Sequence, residues 1–422
     1  MRINKFVLRR REENLLKSSS GWLLVYGRRK VGKTFLVRRS FSWSLYATVT
    51  RSREVIIEEG RVRRRLSQRE AMEVIAERLR RGEVVVLDEF QRLDERFWDD
   101  LALLHPHGRL ILCGSSLGIV EKVFDRRSPL LGLVMPVRID LARYADAVLS
   151  LKEQGIEGGR CLLWAVLIRD PWIIPMVNLK LDPLDDLSSK IYGFYWSAKG
   201  LVGEIFEEEE RRLTLLYEAV LREVGGGAWN SAKVAGRLAA TELLPGGVAA
   251  ASGIMERMVE MGLLQKIPLW RSGRSRFFFK HRSPIMHAIY YLDQKLNLGE
   301  EEVAVEEVKK RLTHILAHEF AFSVGELMAE VHKGTLAYTI TPEGDIDVVI
   351  MDARRRKPRT GYEVKLGEIT AREALQFAER IRSLGVPRAG LVSMSKKPSM
   401  LKDIYESYGP EELTELALKH AK

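Results

Sequence analysis

Cysteine is nearly absent: Cys113 and Cys161 are the only two in 422 residues. Two thiols are too few for a disulfide framework or a structural zinc site, and their scarcity fits a reducing compartment, where each reads as a structural thiol. Long apolar runs are missing as well. No stretch approaches the ~20 residues that span a bilayer core, so no membrane partner is expected. The opening MRINKFVLRRREENLL is basic but has no apolar h-region followed by a small-residue cleavage site, and the cytoplasm is the expected compartment. Negative charge is in deficit: 68 Lys and Arg against 57 Asp and Glu leave +11, which favours polyanionic partners, nucleic acid first. Interleaved Arg and Glu between Arg61 and Arg81 suit surface ion-pair networks equally well, so net charge alone does not choose. A composition of 46% hydrophobic and 30% charged residues is that of a globular protein, and the length accommodates about three domains.

Against these absences one motif stands out. An apolar run, Trp22 to Tyr26, feeds into Gly27-Arg28-Arg29-Lys30-Val31-Gly32-Lys33-Thr34, and Phe35 to Arg39 begins a helix. This is G-x-x-x-x-G-K-[ST] in a strand–loop–helix setting. Gly27 permits a tight turn, the loop N–H groups and the helix N-terminus attract phosphate oxygens, Lys33 is placed for the β- and γ-phosphates, and the Thr34 hydroxyl for Mg²⁺. ATP and Mg²⁺ are therefore the expected ligands.

A P-loop requires a buried strand ending in an acid, which Glu83 to Glu89, EVVVLDE, supplies. Asp88 is expected in the Mg²⁺ shell, and Glu89 to orient or deprotonate the attacking water. Strands are further expected at Ser44 to Thr50, Arg109 to Gly114 and Val134 to Leu141, with helices at Phe6 to Ser20, Gln68 to Arg81 and Asp94 to Leu104. Alternating β and α units imply a parallel sheet covered on both faces. Ser115-Ser116, at the tip of the strand beside the acid-bearing one, offers a hydroxyl at Ser115 for the γ-phosphate or the lytic water.

YGRRKVGKT, VVVLDEF, LILCGSS and SPLLG together resemble the archaeal-type P-loop ATPases of the AAA/STAND lineage, and the resemblance follows the domain order along essentially the whole chain. It implies an α/β fold with a RecA/AAA-like parallel sheet, a helical lid, a winged helix-turn-helix and a C-terminal nuclease-like domain. It also implies an Arg-Glu pair ahead of the P-loop, for which Arg11-Glu12 fits with Arg9 and Arg10 leaving the register open. Family members often carry an arginine where this chain has Leu133, so the arginine that would act on the nucleotide is unassigned, with Arg126 and Arg127 nearest.

Residues 1–145 thus read as the ATPase domain and 146–205, punctuated by Pro171, Pro175 and Pro183, as a small helical lid closing over the nucleotide. In 206–296 a helix from Arg211 to Val224 is followed by one from Asn230 to Ala240, a turn through Leu244-Pro245-Gly246-Gly247, a helix from Val248 to Met261, and a hairpin with Ser272-Gly273 at its tip. That order reads as a winged helix, with Arg257 on its second helix and Arg271, Arg274, Arg276, Lys280 and Arg282 around the wing as candidate DNA contacts. The nearly charge-free Val248-Ala249-Ala250-Ala251 suits a protein-docking platform equally.

After an acidic linker, 297–422 gives a long helix (Val305 to Val331), strands at Thr335, Asp345 and Gly361, a helix from Ala371, a strand from Ala389 and a short helix. Period-2 geometry puts Glu363 and Lys365 on one strand face, where an Asp leading the neighbouring strand meets them. Two carboxylates then hold a divalent metal beside a lysine. This resembles the PD-(D/E)XK nuclease core of restriction endonucleases, with Asp347, Glu363 and Lys365 in its motif positions and Glu319 or Glu326 as the upstream helical acid; Asp345 competes with Asp347 as the ligand. The basic run Arg354 to Arg359 reads as a phosphate-gripping edge.

The function expected is an ATPase whose nucleotide state controls a DNA-handling winged helix and a metal-dependent nuclease-like domain. The alternative is a STAND-type signalling switch in which nucleotide sets a homo-oligomer or partner interface and the C-terminal domain is non-catalytic.

Overall fold

The computed structural model describes residues 7–115, 118–208, 215–239, 243–244, 246–271, 276–340, 346–355 and 357–421. Ser116, Pro245, the hairpin tip with Arg274, Asp345 and Arg356 lie outside the described residues. The chain divides into two compact units. One comprises Arg9–Leu141 and Leu201–Arg212, the other Met1–Leu8, Ala142–Gly200 and Leu213–Lys422.

The first unit runs α1 (Arg10–Ser18), β1 (Trp22–Tyr26), α2 (Lys33–Ser40), β2 (Leu45–Val49), β3 (Val55–Glu59), β4 (Val62–Leu66), α3 (Gln68–Arg80), β5 (Val84–Asp88), α4 (Trp98–Leu104), β6 (Arg109–Gly114), α5 (Gly118–Val123) and β7 (Val134–Arg138). Its sheet has the order β4-β3-β2-β5-β6-β1-β7. Both faces of the central strands are apolar, and alternate side chains serve different cores. Trp22, Leu24, Val85, Leu87, Leu110 and Leu112 pack with Ile75 and Leu79 of α3 and Trp98 and Leu101 of α4. Leu23, Val25, Val86, Ile111 and Cys113 pack with Leu36 and Val37 of α2 and Leu16 of α1. A one-residue slip would exchange the two sets, so each run has one register.

The five strands β2, β5, β6, β1 and β7 form the parallel sheet expected, and β2–β3 and β3–β4 are antiparallel, an edge that was not foreseen. The reason is the two-residue turn Gly60-Arg61, with Gly60 at φ +59, which closes a hairpin inside a stretch whose charges suggest an ion-pair network. The ion-pair reading of that stretch holds. Arg63, Arg64 and Arg65 on β4 pair with Glu58, Glu59 and Glu54, and they line an exposed edge strand that charge protects from further pairing.

The second unit contains α6 (Tyr144–Lys152), α7 (Gly158–Ile168), α8 (Pro183–Ser188) and α9 (Ile191–Glu208), whose residues from Leu201 count with the first unit. It continues with α10 (Leu215–Gly225), α11 (Ser231–Leu238), α12 (Gly247–Glu260), β8 (Leu264–Pro268), β9 (Phe277–His281), α13 (Pro284–Leu296), α14 (Val305–Val331), β10 (Gly334–Thr339), β11 (Ile346–Asp352), β12 (Pro358–Lys365), α15 (Ala371–Ser383), β13 (Arg388–Ser393), β14 (Glu406–Tyr408) and α16 (Pro410–His420). Of the 146–205 stretch expected as a lid, residues up to Gly200 cluster with this C-terminal half and those from Leu201 with the first unit. Cys161 to Ile168 of α7 are all buried, and Arg169 just beyond donates to Ala142 O (2.9 Å), to Ser323 Oγ (3.2 Å) and to the Glu326 carboxylate on α14.

A five-stranded sheet, β10-β11-β12-β13-β14, is antiparallel up to β12 and parallel beyond. Helix α15 lies over it; a Cβ at Gly361 would come within 2.3 Å of Ile381 Cδ1, so glycine there sets the close approach. The β8–β9 hairpin is bonded to this sheet's edge: Trp270 N donates to Tyr338 O (2.8 Å), and Thr339 Oγ1 to Trp270 O (2.9 Å). Helix α13, absent from the sequence expectation, follows Ser283, which caps it through the Met286 N–H, with Pro284 at its first turn.

Candidate nucleotide-binding and hydrolysis site

Strand β1 ends at Tyr26 and the chain turns sharply at Gly27, whose φ is +150; a Cβ there would lie 2.0 Å from Ile139 O, so only glycine lets the loop pass the end of β7. Gly32, at φ +94, caps α2 in the left-handed region. Between them Val31 is buried and Lys30 takes φ +60. Lys33 opens α2 and is itself buried. Its Nζ donates to Gly27 O (2.8 Å) and Arg28 O (3.0 Å), so the ammonium sits at the mouth of the loop it would share with phosphate oxygens. Arg28 is buried and Phe35 half exposed.

Across the loop, at the end of β5, Asp88 is buried. Its Oδ2 accepts from Thr34 Oγ1 (2.9 Å) and from Tyr46 Oη (2.7 Å), and its Oδ1 from the Glu89 N–H (2.9 Å). One hydroxyl and one carboxylate beside a phosphate cradle suit Mg²⁺, which takes few protein oxygens and keeps waters and phosphates for the rest. Tyr46 was not foreseen. Burial, and then the Asp88 charge, push its phenol pKa well up and keep it a hydrogen-bond donor. The Arg38 guanidinium lies 3.8 Å from the Tyr46 ring centroid and donates to Glu58 (3.0 Å). Cys113, on β6 beside Asp88, is fully buried with its thiol pKa pushed well up by burial, as a structural thiol should be.

Glu89 follows at φ +55, an uncommon conformation for a non-glycine residue that swings its side chain off the strand direction. Its Oε2 accepts from Gln91 Nε2 (2.9 Å) and pairs with Arg92 Nη2 (3.0 Å). Gln91 Nε2 also donates to Ser115 Oγ (2.8 Å), so Ser115, at the tip of β6, reaches Glu89 through one amide. Strand β6 lies between β5 and β1, which brings the acid, the serine and the P-loop to one sheet end.

The pair expected at Arg11 and Glu12 is instead Arg9 and Glu12 (Nη1 to Oε1, 3.7 Å). Arg11 is exposed, whereas Arg9 is buried and donates to Val31 O (2.7 Å) and Asp140 O (2.6 Å), bracing the P-loop from behind. Arg29 donates to Glu204 (2.7 Å). Burial works to raise the Glu204 pKa, but Arg29 outweighs it, with Lys30 and Arg51, and holds the carboxyl below its usual range. Arg126 and Arg127 are both exposed after α5.

In the C-terminal sheet, Val364 N donates to Asp347 Oδ2 (3.0 Å) and the β11–β12 ladder, continued, sets Asp347 opposite Glu363. Burial, then the Glu363 charge, push Asp347 up to about 6. Glu363 Oε2 accepts from Arg380 Nη2 (2.9 Å), and Lys365 Nζ donates to Glu373 Oε1 (2.7 Å), both partners on α15. The upstream acid expected at Glu319 or Glu326 is committed elsewhere. Glu319 is buried against Lys280 Nζ (2.8 Å) and His287 Nδ1, and Glu326 pairs with Arg169, so each satisfies a cation rather than the strand acids. Among the described residues no group of three His, Cys, Asp or Glu is placed to hold a metal ion. Lys280, expected as a DNA contact, is the buried partner of Glu319; Arg257, Arg271 and Arg276 are exposed.

Residues 19–130 match the model of the AAA domain family. No curated protein matches the chain. Among solved structures, the Aeropyrum pernix ORC2 protein (ADPNP-ADP complexes) is 12% identical, with 75% of this chain and 97% of that one covered and a TM-score of 0.39. The Aeropyrum pernix ORC1 protein in complex with DNA is 15% identical, covering 69% and 94%, with a TM-score of 0.31. A STAND protein with a tetratricopeptide repeat sensor from Pyrococcus horikoshii is 14% identical, covering 79% and 57%, also at 0.31. These likenesses are too distant to transfer residue roles or partners. The chain carries an AAA-type P-loop ATPase domain, and among the described residues no helix is long and apolar enough to cross a membrane.

Proposed function

We propose that this protein binds and hydrolyses Mg-ATP at the P-loop and uses its nucleotide state to control a winged helix (α10 to β9) and a nuclease-like domain (α14 to α16) that act on DNA. The observation that carries it is the convergence of Lys33, Thr34, Asp88 and Glu89 at one sheet end, with Thr34 and Asp88 bonded at 2.9 Å. Lys33 and the loop N–H groups hold the phosphates, Thr34 and Asp88 would hold Mg²⁺, which when bound would supply charge neutralisation on the phosphates, and Glu89 accepts the proton of the attacking water. Exposed Arg257, Arg271 and Arg276 support phosphate contact by the winged helix.

A second reading concerns the C-terminal domain. Arg380 already neutralises Glu363, and the helical acids are tied up elsewhere, which favours a non-catalytic recognition module within a STAND-type switch. The discriminating experiment follows DNA cleavage in Mg²⁺ or Mn²⁺ with and without ATP, alongside ATP turnover with and without DNA. Metal-dependent cleavage lost in Lys365→Ala, with DNA-stimulated turnover, supports the nuclease reading. Intact DNA, with slow turnover indifferent to DNA and nucleotide-dependent assembly, supports the switch.

A further inference from the structure

Gln91 has no role in the motifs that define the site, yet it touches both Glu89 and Ser115, the two groups expected to act on the attacking water or the γ-phosphate. Its amide nitrogen donates to Glu89 Oε2 (2.9 Å) and to Ser115 Oγ (2.8 Å), and its amide oxygen accepts from Ser115 N (3.4 Å). The last bond is long. Even so, all three place the oxygen toward a backbone donor and the NH₂ toward two acceptors, which fixes the orientation of the amide. The amide packs closely on the β6 tip, where a Cβ at Gly114 would stand 3.2 Å from Gln91 Oε1. Arg92 reaches Glu89 from the same short helical turn.

We infer that Gln91 is the positioning residue for hydrolysis: it fixes the Glu89 carboxylate toward the attacking water and couples that orientation to Ser115. The inference rests on Glu89 being the base. Both amide hydrogens are used, one on each partner, so any movement of the Ser115 hydroxyl toward a γ-phosphate alters the bonding available to Glu89. Occupancy at the β6 tip and the aim of the base thereby become one event. Carboxylate bases gain from such fixing because the proton acceptor must lie within hydrogen-bond reach of the water.

The test uses the full chain, with Gln91→Met, which keeps the volume and removes the amide, and Gln91→Glu. Gln91→Met is expected to keep Mg-ATP affinity and lose turnover roughly tenfold or more. In Gln91→Glu the introduced carboxylate faces Glu89, and two carboxylates sharing a site raise the pKa of one. The acid limb of its turnover profile is therefore expected to move to higher pH. Ser115→Ala combined with Gln91→Met is expected to cost less than the sum of the two. Wild-type turnover in Gln91→Met, or an unmoved acid limb in Gln91→Glu, overturns the inference. Full turnover in Glu89→Gln would instead remove the underlying assignment of the base, and the two failures are distinct. A thermal scan of each variant with and without Mg-ATP reports folding and binding; should Gln91→Met not fold, the pH profile of Gln91→Glu decides alone.

Discussion

Single side chains in this protein are asked to hold charge in places that burial makes costly, and the partner each one finds defines its role. Asp88 is buried among donors: Thr34, Tyr46 and a backbone N–H surround it. Asp347 is half-buried beside another carboxylate, and its pKa rises to about 6. A raised folded-state pKa means that the folded chain holds this proton more tightly than the unfolded one, so the contribution is present below about pH 4 and is lost as pH rises through about 6. Asp347→Asn keeps an oxygen for the Val364 N–H and removes the clash with Glu363. It is expected to raise stability at pH 7 by on the order of 2 kcal/mol and to flatten the stability profile between about pH 4 and 6. Urea unfolding across that range checks this; a destabilised Asp347→Asn at pH 7 would show the carboxylate to be needed as a charge, as a metal ligand is. Motif residues were legible because spacing alone exposes them: Gly27, Lys33, Thr34, Asp88 and Glu89 all stand at one site. Tyr46 and Gln91 were not legible, and Arg9 could not be chosen over Arg10 and Arg11. Each acts through a position set by sheet order or helix register, and a tyrosine inside SLYATVT or a glutamine after DEF carries no spacing signal of its own.

At the scale of elements, periodicity located most strands and helices, and its failures are informative. The β3–β4 hairpin was hidden because β4 is an exposed edge strand with three consecutive arginines at its centre, leaving no apolar alternation to read. Helix α13 was hidden because it is buried almost throughout, so PIMHAIYYL shows no polar face. The β8–β9 hairpin, expected as a wing, is tied down by its own side chains: Lys280 on β9 is buried against Glu319 of α14, and Phe278 packs on Phe322 and Tyr338. Burial works to raise the Glu319 pKa, but Lys280 and His287 outweigh it and bring it down to about 2. The stability this supplies is present above about pH 4.5 and is lost as pH falls toward 2. Lys280→Ala leaves a buried carboxylate uncompensated and is expected to cost about 3–5 kcal/mol at neutral pH, whereas Lys280→Met with Glu319→Gln should recover much of that. Denaturant midpoints for the single and double variants measure the difference; a single variant as stable as wild type would mean that the pair does not anchor the hairpin.

On the scale of the whole chain, two compact units divide the chemistry. The Arg9–Leu141 unit holds every residue assigned to nucleotide, including Arg29 and its partner Glu204 on the later stretch Leu201–Arg212. The Ala142–Gly200 and Leu213–Lys422 unit holds α10 to β9 and α14 to α16 within one compact body. The grouping of 142–200 with the C-terminal half was not readable from the motifs, because it depends on α7, α14 and α16 packing against one another across long sequence separations. The central claim is that this chain is an ATP hydrolase working through Lys33 and Glu89. Steady-state Mg-ATP turnover, paired with nucleotide affinity, tests it on wild type, Lys33→Ala and Glu89→Gln. The expected result is measurable turnover in wild type, loss of both binding and turnover in Lys33→Ala, and retained binding with turnover lowered on the order of a hundredfold in Glu89→Gln. Equal turnover in all three proteins, or Mg-ATP affinity undiminished in Lys33→Ala, would contradict it.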